Sequence, residues 1–463
     1  MKATSLTNKY IEIISEVFSS LQKTVTAEDV ERIAVLLVRA MGGESRDYHA
    51  PEHSIDVSKT KSPIARIAAL FHDIIYVQVD SSWRQGLIDC LGPMVPDDGL
   101  KLDVKHGLTQ SSDPWLWAIA VLFGMEENDS VIPGKGINEF LSALVAHHFL
   151  SPFLSTNEML RVLACIESTI PFRRTDTRGN SPEKLLISRL QKACHSLAIL
   201  GFTANEIEVA IDDCRAMVST DLSSFAASDP GIFLSDTWSV MFENNSTLRN
   251  NYFFINEYRK AIFGVLDFIG SLDTSYMFWG KSNHALQTLE SQSFYASRNI
   301  ELSSIYLKAF ATGLCLLEAI AIETGGDLPF ETMVGALKRS REHLPKTIDK
   351  YLKITSDPKL VGHYKTAFNY LLSGRTKRAR FDRKEFVLGA LILSTVEAKG
   401  LDKLFNFCRA FSSGSMGALE LLNKFPQNTL RQTLSAVRHT AYHRSNRLSA
   451  LEKILFRESK KAA

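Results

Sequence analysis

A chain of 463 residues, 45% hydrophobic and 22% charged, has an ordinary soluble composition, long enough for two or three cores or one large helical body. A formal net charge of +2 supplies no overall field that would single out nucleic acid or membrane as partner. The cysteines (Cys90, Cys165, Cys194, Cys214, Cys315, Cys408) are scattered without a CxxC pair, which argues against a disulfide framework or a thiolate zinc site and fits a reducing compartment.

In chain order, Met1 to Lys23 places charges at Lys2, Lys9, Glu12 and Glu16 and reads as an amphipathic helix rather than a signal peptide. Thr26 is the expected N-cap of a helix over Ala27–Met41, stopped by Gly42-Gly43. Ile64 to Tyr76 is apolar nearly all round and so a central helix. Turn signals follow at Pro93, Pro96, Asp97-Asp98-Gly99 and Ser111 to Pro114, then a short helix over Trp115–Met125 and a Gly/Pro loop, Pro133 to Gly136. Ile137 to Phe149 is helical and ends in His147-His148. Ser181-Pro182-Glu183 opens another helix, and Thr203 with Glu206 forms a capping box for a helix over Thr203–Ser219 that delivers Asp221.

Beyond residue 250 further helices are expected over Phe253–Leu272, Ser303–Glu323, Glu331–Tyr351, Phe386–Leu404 and Thr429–Phe456. No stretch reaches the ~18 apolar residues of a membrane span. Ala309 to Ile322 comes nearest, contains Glu318, and reads as a buried helix of a cytoplasmic protein. The fold expected is all-α, with no internal repeat or low-complexity tract.

Four segments carry ligand-type side chains on or beside apolar helices. They are Tyr48-His49…His53…Asp56-Val57, His72-Asp73, Asn138-Glu139…Ser142…His147-His148, and Ser219 to Ser223 around Asp221. His49 and His53 stand four positions apart at a helix start marked by Pro51. Adjacent helical side chains such as those of His72 and Asp73 point about 100° apart, so they converge only on something between them, such as a metal ion. Imidazoles with carboxylates make a mixed N/O set suited to Zn, Mn, Fe or Mg, which points to metal-dependent hydrolysis. Asp56, one turn beyond His53, is a candidate to orient a ligand imidazole, and Glu139 to bond a metal water. Their bland readings are a helix-surface acid and a helix-dipole partner. Arg173, Arg174 and Arg178 could fork a phosphate, against the alternative of a solvated loop.

The ordered pattern His, His-Asp, distant Asp resembles the HD superfamily of metal-dependent phosphohydrolases over residues 30 to 240. Tyr48-His49, His53 and Asp56-Val57 resemble the helix start of cyclic-nucleotide phosphodiesterases; Ser142 with His147-His148, and Thr220 to Ser223, resemble their later ligand segments. The resemblance implies an HD-type helical domain at 1–245 followed by a helical domain at 246–463, with His53, His72, Asp73 and Asp221 as ligands of one or two divalent ions (Mn, Fe, Zn, Mg or Ni). Asp73 would bridge to a second ion, His49 would act as general acid, and His147 and His148 would line the second metal position or grip phosphate. The expected substrate is a small phosphoester, with a cyclic-nucleotide or signalling phosphodiester first in line. The alternatives are a nucleotidase or triphosphohydrolase, or a catalytically silent metal- or nucleotide-binding regulator. Two positions depart from the phosphodiesterase pattern: Ala50 replaces Asn after the first His, and Val145 replaces Glu before the paired His.

The C-terminal half carries no catalytic pattern. Gly325-Gly326-Asp327 reads as a C-cap, and the basic cluster Arg375, Lys377, Arg378, Arg380, Arg383 and Lys384 has only Phe381 interleaved, which disfavours nucleic acid. Covering the site, homo-oligomer formation and ligand sensing stay open for this half.

Overall fold

The computed structural model describes residues 3–80, 113–126, 136–198, 203–249, 252–280, 283–335, 347–354, 359–376 and 384–456, apart from the side chains of 3, 4 and 283–288. The turn-rich stretch before Asp113, Pro133 to Lys135, most of the Glu331–Tyr351 expectation, and Lys377, Arg378, Arg380 and Arg383 lie outside the described residues. Among the described residues the chain is all-α, with eighteen α-helices and no strand; Phe254 and Pro329 form one isolated bridge.

The chain divides into two compact units, Met1–Ala226 with Asp273–Phe294, and Ala227–Leu272 with Tyr295–Ala463. This differs from a division at residue 245, because 227–245 groups with the second unit while 273–294 returns to the first. In the second unit Trp238 is fully buried; its Nε1 donates to the Tyr258 hydroxyl at 3.1 Å and its ring meets Tyr306 and Phe310 at 5.5 and 5.2 Å. Those aromatic contacts tie that stretch to the later helices.

The first unit is built from α1 (Ala3–Ser20), α2 (Ala27–Met41), α3 (Pro51–Val57), α4 (Pro63–Phe71), α5 (Pro114–Leu122), α6 (Ile137–Leu150), α7 (Thr156–Ser168), α8 (Pro182–Ser196) and α9 (Ala204–Asp221). Local chemistry sets the boundaries. Thr26 accepts from Asp29 N, Ser181 from Lys184 N, and Thr203 and Glu206 close a reciprocal capping box. Each such cap is worth about 1 kcal/mol. Helix α4 is the centre: Ile64, Ala65 and every residue from Ile67 to Phe71 are buried, and α1, α3, α6, α7 and α9 all pack on it. Ala65, Ala68 and Ala69 present small side chains, which lets neighbours approach from several sides.

Helix α4 ends at Phe71, not at Tyr76. The chain past it turns because its backbone groups bond elsewhere: Ile75 N donates to Ser142 Oγ, Val77 N to Asn138 Oδ1, and Tyr76 N to Asp80 Oδ2. Those side chains compete with the i→i−4 ladder, and the turn aims His72 and Asp73 at one point.

The second unit contains α10 (Pro230–Asn244), α11 (Ile255–Gly270), α13 (Phe330–Val334), α14 (Gly362–Ser373), α15 (Val387–Ser412), α16 (Ala418–Leu422), α17 (Gln427–Thr440) and α18 (Ser445–Phe456), with α12 (Asn283–Glu323) entering it at Tyr295. Two expected helices change form. Helix α15 kinks at Glu397, whose φ is 56°, and the expected Thr429–Phe456 helix breaks at Ala441. At that break Thr440 Oγ1 donates to Met333 O, and Arg444 donates to Ala321 O and Gly326 O, so tertiary bonds replace helical ones. By length and composition Leu289–Glu323 could cross a membrane, contrary to the expectation of no such stretch; 89% of its most apolar window is buried inside the protein.

Candidate metal centre

Three segments of the first unit meet at the C-terminal end of α4. Helix α3 starts after Ala50, an extended N-cap, with Pro51 in its first turn, and this sets His49 just outside the helix and His53 inside it. Tyr10 on α1 fixes that start: its hydroxyl donates to Pro51 O at 3.1 Å and shares a 2.6 Å bond with Ser54 Oγ. His72 caps the end of α4 with Asp73 beside it, and Asp221 is the last residue of α9.

The four side chains converge. His53 Nε2 lies 3.6 Å from Asp73 Oδ2 and 3.2 Å from Asp221 Oδ1, while His72 Nε2 lies 2.8 Å and 3.6 Å from the same two oxygens. The His53 and His72 rings are 5.5 Å apart. Two donor atoms on one ion with bonds of about 2.1 Å stand roughly 3.0 Å apart at a right angle and about 3.4 Å at the tetrahedral angle. The observed spacings bracket both values. His53, His72 and Asp73 also form the one group among the described residues whose ligand atoms all lie within 4.8 Å of one another.

The tautomer of His72 fits the same use. Its Nδ1 stands 2.8 Å from the Ala69 carbonyl, which can only accept, so Nδ1 carries the proton. Nε2 is buried and makes no aligned hydrogen bond, despite the nearby carboxylate oxygens. In the neutral ring the Nε2 lone pair faces two carboxylates and a second imidazole, a place that a cation fits. The donor set therefore fits a divalent ion of borderline hardness.

Electrostatics follow from this crowding. Burial opposes ionisation of Asp73, yet the His72, His49 and His53 imidazoles hold its carboxyl far below the ordinary value. Burial likewise opposes Asp221, and the His53 and His72 imidazoles that face it win, lowering it to about 2. Burial disfavours a charge on His72, but Asp73 and Asp221 hold its proton well above 6.5. Without a metal, that proton is the cation of the cluster. Glu139, in the first turn of α6, is pushed up to about 7 by burial, with Asp73 adding to the rise.

His49 stands beside the ligands, its ring 4.4 Å from Tyr76, 4.9 Å from Tyr48 and 5.9 Å from His53. Other expected site residues lie outside that close group of ligand atoms. Asp56 is exposed and pairs with Lys59 at 2.6 Å. His147 and His148 diverge as neighbours on a helix must: His147 packs on Trp115 at 4.7 Å and burial lowers its pKa, while His148 is exposed. Arg173 is committed to Glu167, a fully buried carboxylate that it shares with Arg189. Arg174 and Arg178 are exposed on the following loop. The residues that sequence reasoning missed are those that hold the segments together, chiefly Tyr10, Arg46, Asp80, Arg161 and Asp213. None belongs to a motif. No family model matches this chain, and comparison with curated proteins and with solved structures gives no match.

Proposed function

We propose that the first unit is a metal-dependent phosphohydrolase centre of the HD type, acting on a nucleotide-type phosphoester. The observation that carries this reading is the meeting of His53, His72, Asp73 and Asp221, in the order His, His-Asp, Asp along the chain, at separations suited to one ion. Two neutral imidazoles and two carboxylates give a ligand set of charge −2, which a divalent cation neutralises. When bound, such an ion lowers the pKa of its water from ~15.7 toward neutrality and offsets phosphoryl charge. His49, steadied between Tyr48 and Tyr76, is placed to protonate the leaving oxygen. Burial of His72 and Asp73 keeps bulk water from the ligand face of the imidazole.

One ion is the stoichiometry favoured, since neither His147 nor His148 belongs to the group of ligand atoms within 4.8 Å of one another, and Val145, where the phosphodiesterases carry glutamate, is fully buried. That same valine supports a second reading, a silent metal- or nucleotide-binding regulator. Elemental analysis of purified protein and of Asp73→Ala tests the centre: about one ion per chain is expected in the first and loss of it in the second, and a metal-free wild type ends the proposal. Assays against cyclic nucleotides, dinucleotides and nucleoside mono- and triphosphates separate the substrates. Metal binding without turnover on any of them favours the regulator.

A further inference from the structure

We propose that Arg46 is a positioning residue that sets the distance between the two histidine-bearing segments of the candidate centre. This inference rests on the metal-centre reading above. Arg46 lies just before Tyr48-His49, in no motif, and its side chain is fully buried. An arginine beside a phosphoester site invites assignment as a phosphate clamp. The hydrogen bonds exclude that here. Arg46 Nε donates to Asp80 Oδ1 at 2.9 Å, and one terminal nitrogen donates to Asp80 Oδ2 at 2.5 Å and to Ile74 O at 3.1 Å. The other donates to Asp73 O at 2.6 Å and to His49 O at 3.0 Å. A guanidinium has five N–H groups, and all five are used inside the protein.

The partners explain the role. The carbonyls of His49 and Asp73 belong to the segments before α3 and after α4, and one nitrogen of Arg46 holds both. Asp80 locks the fork in its plane and accepts Tyr76 N at 2.9 Å, which closes the turn that carries His72 and Asp73. The rigid fork thus spans two backbones whose side chains meet a few ångströms away. Lysine has three donors and no plane, so it keeps the charge but cannot hold this geometry.

The test compares the full-length wild type with Arg46→Lys, Arg46→Gln and the milder Asp80→Asn. Two readouts are used: Mn2+ affinity, from titration with the metal alone, and amide hydrogen exchange of the metal-free proteins. Arg46→Lys is expected to remain folded, to bind Mn2+ at least tenfold more weakly, and to lose exchange protection in residues 49–53 and 72–77 ahead of the rest of the first unit. Should it fail to fold, Asp80→Asn carries the same expectation. A folded variant that keeps wild-type affinity and wild-type local exchange overturns the inference. So does loss of protection spread evenly over the unit, which marks Arg46 as general core support. A wild type that binds no Mn2+, Zn2+ or Fe2+ instead overturns the metal-centre reading, and the exchange pattern still decides whether Arg46 joins the two segments.

Discussion

Ser62 and Asp213, 151 positions apart, share a hydrogen bond of 2.5 Å between the N-cap hydroxyl of α4 and a carboxylate inside α9. Asp213 also accepts from Arg161 on α7, at 2.8 Å from Nε and 2.6 Å from the terminal nitrogen. It thus fixes α9 against the start of α4, two turns before α9 presents Asp221 to the end of α4. Asp213→Ala leaves Arg161 without its partner and is expected to cost about 2–4 kcal/mol. Ser62→Ala removes only the cap and its bond and should cost about 1 kcal/mol. Chemical denaturation measures both. Mn2+ affinity should fall further in Asp213→Ala, and unchanged stability in that variant would refute its place as the anchor of α9.

Glu139 and the ligand cluster give the metal-free protein a signed pH dependence. The folded pKa of Glu139 is raised to about 7, so its contribution is full below its unfolded value of 4.5 and is lost as pH rises toward 7. His72, raised above 6.5, adds stability below 6.5 that is lost as pH climbs through its folded pKa. Asp73 and Asp221 are depressed, and their contribution is present above 3.8 and lost as pH falls toward 2. Stability of the metal-free protein should therefore peak near pH 4–5 and decline toward pH 8. Glu139→Gln, which keeps the size and cannot ionise, should flatten that decline and raise stability at pH 8 by about 1–3 kcal/mol. Denaturation curves from pH 4 to 8 test this, and an unaltered slope in the variant counts against a buried, neutral Glu139.

What the sequence made legible was local. Helix starts at Thr26, Ser181 and Thr203 are written in the caps, and the all-apolar face of α4 announces a centre. That His53, His72, Asp73 and Asp221 lie close together was legible in part, because each is a ligand-type side chain on or beside an apolar helix. What was not legible depends on long-range partners. Arg173 read as a phosphate fork or as part of a solvated loop, and only the fold reveals Glu167 buried beneath it. Asp56 has helical spacing from His53, but it is exposed and taken up by Lys59. The end of α4 at Phe71 depends on Ser142 and Asn138, which no window around residue 72 contains.

Metal uptake should compete with a proton. His72 holds its proton because Asp73 and Asp221 face it, and a divalent ion must displace that proton to use Nε2. Affinity for Mn2+ is expected to rise about tenfold per pH unit between pH 6 and the folded pKa of His72, with proton release into weak buffer. Titrations at pH 6, 7 and 8 with a pH indicator read both quantities. Flat affinity over this range would mean that the ion, if bound, avoids His72.

The second unit offers a test of why a carboxylate sits on a long, largely buried apolar stretch. Glu318 on α12 faces Arg259 on α11, with Oε2 2.5 Å from Nε and Oε1 3.1 Å from a terminal nitrogen. Both side chains are 6% exposed. Burial raises the pKa of Glu318, so the pair is held against a desolvation cost. Removing one partner strands the other charge: Glu318→Leu or Arg259→Met alone is expected to lose about 3–5 kcal/mol, whereas the double variant Arg259→Met/Glu318→Leu should recover most of it. Thermal denaturation of the two single variants and the double variant supplies the cycle. Strict additivity would show that the two charges do not act as a pair, and that Arg259 is held instead by Ser412 and the rings of Phe263 and Phe411 around it.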